Sequence, residues 1–258
     1  GDLTPSQIYV KNKEKSAIEV GLKSDVIRYS NTVEEKTVLE KINELNKDES
    51  VSGILVQLPL PKHIDKQKVI EAINPLKDVD GFHPMNVGNL SSGYKSSIPC
   101  TPLGSLLLLK DHVEDLKGKS AVVIGRSNIV GKPMSQLLIE ESCTVTIVHS
   151  KTKEIEKVCS QADIIVAAIG RAEMIDSKWL KDGAVVIDVG INRISVTKED
   201  GSEGSKIVGD VDFESASEKA SKITPVPGGV GPMTIACLLR NTVTSAYRHA
   251  GLDDPRSI

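Results

Sequence analysis

Val38, Leu39, Ile42 and Leu45 recur at helical spacing, whereas Ala121 to Ile124 is an unbroken aliphatic run. Those two patterns, helical period and short continuous run, predict most of the elements of this chain. Ser6 to Val20 reads as a first helix, with Ser6 as N-cap and Gly21 as its C-terminal stop. Asp25 to Tyr29 is a short strand candidate. Thr32-Val33-Glu34-Glu35 reads as a capping box in front of the Val38 to Leu45 helix. Gly53 to Gln57 reads as a buried strand, ended by Leu58-Pro59-Leu60-Pro61, because proline cannot continue a central strand. Asp65 to Ile73 is a further helix. Asn74 to Pro102 shows little periodicity and reads as a long, functional loop. Leu103 to Val113 returns to helix.

From there strands and helices alternate. The strand candidates are Ala121–Ile124, Thr144–Val148, Asp163–Ala168 and Ala184–Val189, with short ones near Ile207–Val208 and Lys222–Thr224. Continuous aliphatic runs between helices imply an α/β fold whose parallel sheet is covered on both faces. Val196 to Ser205 reads as an exposed loop, and Met233 to His249 as a closing helix. No internal repeat is present.

The junction after the first of these runs, SAVVIGRSNIVGKP at Ser120 to Pro133, adds chemistry to the pattern. An aliphatic run stops at Gly125, a polar turn follows, and a helix opens. Strand, glycine turn and helix start together offer backbone N–H groups and a positive helix end to a phosphate. The spacing is not the usual dinucleotide fingerprint, since Ser127 and Val130 stand where its second and third glycines would be. The next strand, Thr144 to Val148, is followed by His149-Ser150-Lys151-Thr152, with no acid to take a ribose hydroxyl. Ser150 and Lys151, with Arg126 from the glycine turn, suit a 2′-phosphate instead, which favours NADP over NAD. The bland alternative is a solvated polar turn.

Composition narrows the class. The 258 residues allow one or two domains, and the net charge of -3 comes without a long basic run, which argues against nucleic acid. No apolar run approaches the roughly 18 residues of a membrane span, and no signal peptide is evident. Cys100, Cys143, Cys159 and Cys237 are widely spaced, as expected of reduced thiols in the cytoplasm rather than of a zinc site. No metal is expected. Aromatic residues make up only 3% of the chain, so aliphatic side chains must build the core. The opening Gly1-Asp2-Leu3-Thr4-Pro5 has no Met and no leading strand, and reads as a truncated beginning.

Five further places carry candidate chemistry. Tyr9 and Lys13 are spaced i, i+4 and share a helix face, so a phenol and an amine are presented together. Gln57 closes a strand, where ligands bind in α/β sheets. Lys77-Asp78-Val79-Asp80-Gly81-Phe82 holds two acids in a turn, and a carboxylate matches the adjacent ring N–H and amino group of a pterin. Thr224 to Thr234, TPVPGGVGPMT, combines three prolines that fix φ with three glycines that let backbone approach a ligand. Gly190-Ile191-Asn192-Arg193 ends a central strand at the same ligand crevice. Each also has a plain structural reading as a surface pair, a strand cap, a turn or a linker. No G-x-S-x-G, H-E-x-x-H or G-x-x-x-x-G-K-[ST] pattern points to hydrolase, zinc or nucleoside-triphosphate chemistry.

Taken in order, YVKNK (Tyr9–Lys13), VQLPLP (Val56–Pro61), KDVDGF (Lys77–Phe82), PCTP (Pro99–Pro102), GRSNIVGKP (Gly125–Pro133), HSKT (His149–Thr152), GDV (Gly209–Val211) and TPVPGGVGPMT (Thr224–Thr234) closely resemble the methylenetetrahydrofolate dehydrogenase/methenyltetrahydrofolate cyclohydrolase family. The resemblance covers essentially the whole chain, and departs from the family in lacking its leading strand and helix. It implies two α/β domains with a cleft between them. Residues 1–103, with 232–258 as a returning helix, would form a smaller folate and catalytic domain. Residues 104–231 would form a Rossmann-like NADP domain, through which a homodimer is expected.

By the same resemblance Lys13 is the catalytic lysine, Tyr9 lies over the folate ring, Gln57 contacts Lys13, and Asp80 holds the pterin. Gly125, Arg126, Ser127 and Ser150 match positions at the adenosine phosphate, and Ile191 and Thr234 match positions near the nicotinamide. Pro227, Gly228 and Gly229 border the folate. The implied activity is NADP-dependent oxidation of 5,10-methylenetetrahydrofolate followed by hydrolysis to 10-formyltetrahydrofolate. The alternatives are another NADP-dependent dehydrogenase of shikimate-dehydrogenase-like architecture, or a single-activity homologue. The expected partners are tetrahydrofolate derivatives, with neither nucleic acid nor membrane.

Overall fold

The computed structural model describes residues 4–197 and 201–255. Gly1, Asp2 and Leu3, on which the reading of the chain's opening rests, lie outside the described residues, as do residues 198–200 of the expected Val196 to Ser205 loop. The described residues form two compact units. One comprises the chain up to Ile98 and again from Leu238, the other Pro99–Cys237.

The first unit contains the helices α1 (Thr4–Glu19), α2 (Glu35–Lys47), α3 (Lys66–Ala72) and α4 (Pro84–Ser91). Helix α1 begins before Ser6, which is therefore not its cap, because Pro5 fits a first helical turn. It ends as expected. Gly21 takes φ +82°, the Leu22 N–H bonds Ala17 O at 2.9 Å, and the Gly21 N–H bonds Ile18 O at 3.0 Å, a Schellman stop. The capping box before α2 does not form. Glu34 precedes the helix without a side-chain cap, and the Thr32 hydroxyl pairs with Ser30 at 2.9 Å. The Glu35 carboxylate instead accepts from the Asp65 N–H at 2.7 Å and Lys68 Nζ at 3.3 Å. Asp65 caps α3 as its sequence suggests.

Neither strand expected in this unit is regular. Asp25 to Tyr29 forms no ladder, and Gly53 to Gln57 makes one isolated parallel bridge, Ile54 to Asp78. A strand exists only through its partner, and here the segment pairs at a single bridge, while the prolines at 59 and 61 bar any longer continuation. The expected loop at 74–102 contains α4, whose Pro84 takes the first position after the His83 cap. Eight residues that include Pro84 and Gly88 are too few for a clear helical period. Val38, Ile42, Ile54, Ile64, Val69 and Ile73 form the core.

The second unit opens with α5 (Cys100–His112), which starts three residues before Leu103 with Pro102 in its first turn. Its strands are β1 (Ser120–Ile124), β2 (Thr144–Val148), β3 (Ile164–Ala167), β4 (Val185–Asp188), β5 (Asn192–Thr197), β6 (Glu203–Val208) and β7 (Lys222–Ile223). Between them run α6 (Gly131–Glu140), α7 (Ile155–Cys159), a 3₁₀ turn at Ser177–Trp179 and α8 (Phe213–Ser217). Five strands form one parallel sheet in the order β2-β1-β3-β4-β7. The aliphatic runs of β1 and β3 are buried on both faces, as parallel strands under helices must be.

Strands β5 and β6 pair antiparallel, Asn192 opposite Val208 through Thr197 opposite Glu203. The segment read as a loop at 196–205 therefore includes the ends of a hairpin, hidden in the sequence by its polar, largely exposed strands. Helix α9 (Val230–His249) begins three residues before Met233, taking Gly231 and Pro232 into its first turn, and its residues from Leu238 onward belong to the first unit.

Candidate active site

In the first unit, the parallel bridge between Ile54 and Asp78 sends Gln57 and Asp80 out in the same direction, three and two residues further along. Helix α1 presents Tyr9 and Lys13 one turn apart, with buried Ala17 one turn beyond. Lys13 Nζ donates to Gln57 Oε1 at 3.0 Å, and Gln57 Nε2 donates to Leu58 O at 2.8 Å. The second bond fixes the amide so that its oxygen faces the lysine. Burial pushes the Tyr9 phenol up, so it stays neutral.

The two acids of the Lys77–Phe82 turn separate. Asp78 is buried, and its carboxylate accepts from Gly81 N–H (3.1 Å), His83 N–H (2.8 Å) and Asn86 Nδ2 (3.0 Å). It holds the turn. Asp80 forms no hydrogen bond or ion pair among the described residues. Burial pushes its carboxyl up to about 7, against the pull of nearby Lys13 and with a further push from Asp78.

Residues outside the sequence-derived set support this arrangement. Asn241 Nδ2, on α9, donates to Val79 O at 2.9 Å and Ile98 O at 2.8 Å, and the Ser245 hydroxyl reaches Ser52 O and Leu76 O. Lys77, 2% exposed, donates to the carbonyls of Leu45, Asn46 and Asp48 at the end of α2. Gly53 is needed because a Cβ there would meet Val79 at 2.6 Å. Nothing local in the sequence marks Asn241 or Ser245, since their partners lie well over a hundred residues away.

In the second unit, every strand of the parallel sheet ends on one edge. The turns after β1, β2, β3, β4 and β7 line it. The chain leaves β1 for β2 on one side and continues through β3 on the other, so a topological switch point lies between β1 and β3, where open α/β sheets bind ligands. Gly125, at φ +121°, has the Ala168 carbonyl where a Cβ would stand, and a Cβ on Gly131 would meet the Gly125 carbonyl and, at 2.9 Å, Arg126 N. Backbone alone fits this turn.

The Ser127 hydroxyl accepts from Val130 N–H (3.1 Å) and Gly131 N–H (3.3 Å), closing the entry to α6. The N–H groups of Arg126 to Ile129 bond to no described residue. Arg126 and Ser150 are exposed at the ends of adjacent strands, aligned by the Ile124–Val148 register.

Asp188 and Asp210, both buried, organise the far side of this edge. Asp188 accepts from the N–H groups of Gly190, Asp210 and Val211. Burial pushes it up to about 6 against those three donors. Ile191, beside them, is exposed. Thr234 on α9 donates to Val230 O at 3.1 Å and accepts from Thr101 at 3.0 Å, placing it on the first turns of that helix. Val226–Pro227 is cis, and Pro227 and Gly228 are exposed, while the Gly229 N–H bonds Pro225 O at 3.0 Å. Asp188 was not singled out in the sequence, and Asp210 entered only as part of the GDV segment at Gly209–Val211, with no role assigned to it.

Comparison with known proteins identifies the two units. Residues 1–80 match the catalytic domain of tetrahydrofolate dehydrogenase/cyclohydrolase, and residues 99–250 match the NAD(P)-binding domain of the same family. The Bifunctional protein FolD of Pelagibacter ubique is 68% identical over 94% of this chain and 83% of its own length. The crystal structure of the bifunctional FolD of Campylobacter jejuni shares 53% identity with a TM-score of 0.90, covering 96% of this chain and 86% of that one. The Trypanosoma brucei dehydrogenase-cyclohydrolase, solved with NADP and an inhibitor, shares 39% identity with a TM-score of 0.91 over 97% of this chain and 85% of that one. These matches favour the folate reading over a shikimate-type dehydrogenase. With both domains matched in order and such identity across nearly its whole length, the chain belongs to the tetrahydrofolate dehydrogenase/cyclohydrolase family and is a bifunctional methylenetetrahydrofolate dehydrogenase and methenyltetrahydrofolate cyclohydrolase.

Proposed function

We propose that NADP lies along the sheet edge of the second unit and that Tyr9, Lys13, Gln57 and Asp80 of the first unit serve the folate. The residues present fit the cofactor. The β1–α6 turn has no room for side chains at Gly125 and Gly131, keeps N–H groups uncommitted, and carries Arg126 one residue after the glycine. Arg126 and Ser150 hold the 2′-phosphate at the β1 and β2 end. Four inter-strand steps of about 4.8 Å carry the edge roughly 19 Å to β7, so Ile191 and Thr234 fall toward the nicotinamide end. When bound, NADP⁺ supplies the hydride acceptor.

In the hydrolytic half-reaction, water adds to the methenyl carbon between N5 and N10, and the ring opens at N5 to give 10-formyltetrahydrofolate. Lys13 moves protons between the adduct's oxygen and nitrogens, held in place by Gln57. Tyr9 covers the ring system, Asp80 takes the pterin N–H groups as a carboxylate, and Pro227, Gly228 and Gly229 border the substrate. A homodimer through the nucleotide-binding unit and a cytoplasmic setting belong to the same reading. Among the described residues no helix is long and apolar enough to cross a membrane.

The observation that carries this reading is the 3.0 Å bond from Lys13 to an amide whose own orientation is fixed. General acid–base catalysis contributes roughly 10²–10⁴-fold, so Lys13→Met should remove that much cyclohydrolase activity while sparing more of the dehydrogenase. The methenyl intermediate should then build up during turnover, visible by its absorbance. Full cyclohydrolase activity in the variant would make Lys13 a structural lysine.

A further inference from the structure

The loop after β3 contains an anion-binding arrangement that the protein fills itself. Ile169, Gly170 and Arg171 point three successive N–H groups inward, with Gly170 in the left-handed region at φ +66°. Such a nest of consecutive N–H groups is a concavity for an anion. Its occupant is the carboxylate of Asp210, from the turn after β6, which is 0% exposed. Asp210 Oδ2 accepts from Ile169 (2.7 Å) and Gly170 (3.0 Å). Its Oδ1 accepts from Arg171 (2.9 Å) and from Asn192 Nδ2 (2.9 Å), whose other proton goes to Gly209 O at 3.1 Å.

The Asp210 backbone is itself held, since its N–H bonds Asp188 at the end of β4 at 3.0 Å and its carbonyl accepts from Ile175 at 3.0 Å. Two glycines make room for the pair. A Cβ at Gly190 would strike the Asp210 carboxylate, and one at Gly209 would strike that of Asp188. Side chain and backbone of this one residue thus tie the turns after β3 and β6 to the end of β4 and the start of β5. The first of these forms one wall of the switch point, and its Ala168 carbonyl packs on the glycine turn after β1.

We propose that Asp210 is a positioning residue for NADP: by filling the nest at 169–171 it fixes the wall of the cofactor crevice and keeps those N–H groups from competing for the cofactor's phosphates. The inference rests on NADP binding at this edge. It follows from charge and geometry. Left empty, the nest would be a second phosphate site beside the β1–α6 turn. Filled, it leaves the uncommitted N–H groups of Arg126 to Ile129 as the phosphate station, and it sets the separation of the β1 and β3 turns through their direct contact.

Asp210→Asn keeps the shape but turns an NH₂ group toward at least one of the N–H donors, which loosens the loop. The test measures NADPH affinity by fluorescence titration, amide exchange at Ile169 to Arg171, and cyclohydrolase activity on methenyltetrahydrofolate without NADP. Loss of a charge-assisted bond should weaken NADPH about tenfold or more and speed exchange at the three amides, with hydrolysis within about twofold of wild type.

Gly170→Ala serves if Asp210→Asn does not fold. Nothing lies within 4 Å of the added Cβ, so it strains only the backbone of the nest. It should show the same pattern more weakly. Unchanged NADPH affinity in a folded variant, or equal loss of NADPH binding and hydrolysis in both variants, would overturn the proposal. Absence of saturable NADPH binding by the wild type would instead refute the cofactor reading on which it stands.

Discussion

Two carboxylates two residues apart do opposite work. Asp78 is satisfied by three donors and builds the turn, whereas Asp80 is left without a bond and is pushed up to about 7, chiefly by burial. Local pattern offered both as turn acids, the family resemblance singled out Asp80, and the hydrogen bonds give Asp78 its separate structural part. The sign of the shift makes a prediction. If Asp80 must be ionised to accept from the pterin, kcat/KM for the folate should fall as pH drops through about 7, and the limb should vanish in Asp80→Asn along with most of the affinity. A flat profile from about pH 8 to 6 in the wild type would show that the proton on Asp80 does not matter. Tyr9, Lys13 and Gln57 were legible for a different reason. Helical spacing fixes a shared face, and a strand-like segment ending in prolines fixes where Gln57 stops.

At the scale of elements, the parallel strands were readable because burial on both faces writes itself as an aliphatic run. The errors fall where a local signal was outbid. Thr32 and Glu35 have the right types for a capping box, yet Glu35 finds better partners in Asp65 and Lys68. The helix α2 is closed instead at its other end by Lys77, thirty residues on, whose amine takes three carbonyls at 2.7–3.0 Å. A charge on the last carbonyls of a helix complements both their unpaired acceptors and the helix dipole. Lys77→Met should keep the volume and leave those carbonyls unpaired. We expect a loss of about 2–4 kcal/mol in urea unfolding, with little change in the KM for NADP⁺. A loss below about 0.5 kcal/mol would mean that water replaces the amine at no cost.

For the whole molecule, the titration of buried acids sets how stability follows pH. Asp80 and Asp188 have folded values of about 7 and about 6, both above their ordinary value of 3.8. Their burial therefore costs nothing below about pH 3.8, where both states are protonated, costs progressively more as pH rises from there to the folded values, and is constant above them. For Asp188 the full cost is about 3 kcal/mol. Glu35, Asp48, Asp163 and Asp254 are shifted the other way by hydrogen bonds from their neighbours, so the stability they add is lost only as pH falls below the ordinary carboxylate range. The two sets act in separate windows. Urea midpoints should rise on acidification from about pH 7.5 to about 4 and fall as pH drops further. A midpoint that declines steadily as pH falls from neutrality would contradict the raised folded values of these two acids.

The sequence by itself determined the class of fold, the alternation of strand and helix after residue 120, the glycine turn between the first sheet strand and its helix, and the shared helix face of Tyr9 and Lys13. Each is a local property, set by period, by the absence of a Cβ or by spacing along one helix. The tertiary structure alone decided which of two neighbouring acids stays unbonded, that Asn241 and Ser245 brace a turn formed early in the chain, that Lys77 closes a helix, and that Asp210 fills the nest beside β3. All of these join groups far apart in sequence. A buried polar atom is satisfied by whichever partner the fold brings within about 3 Å, and no pattern within a dozen residues records that partner.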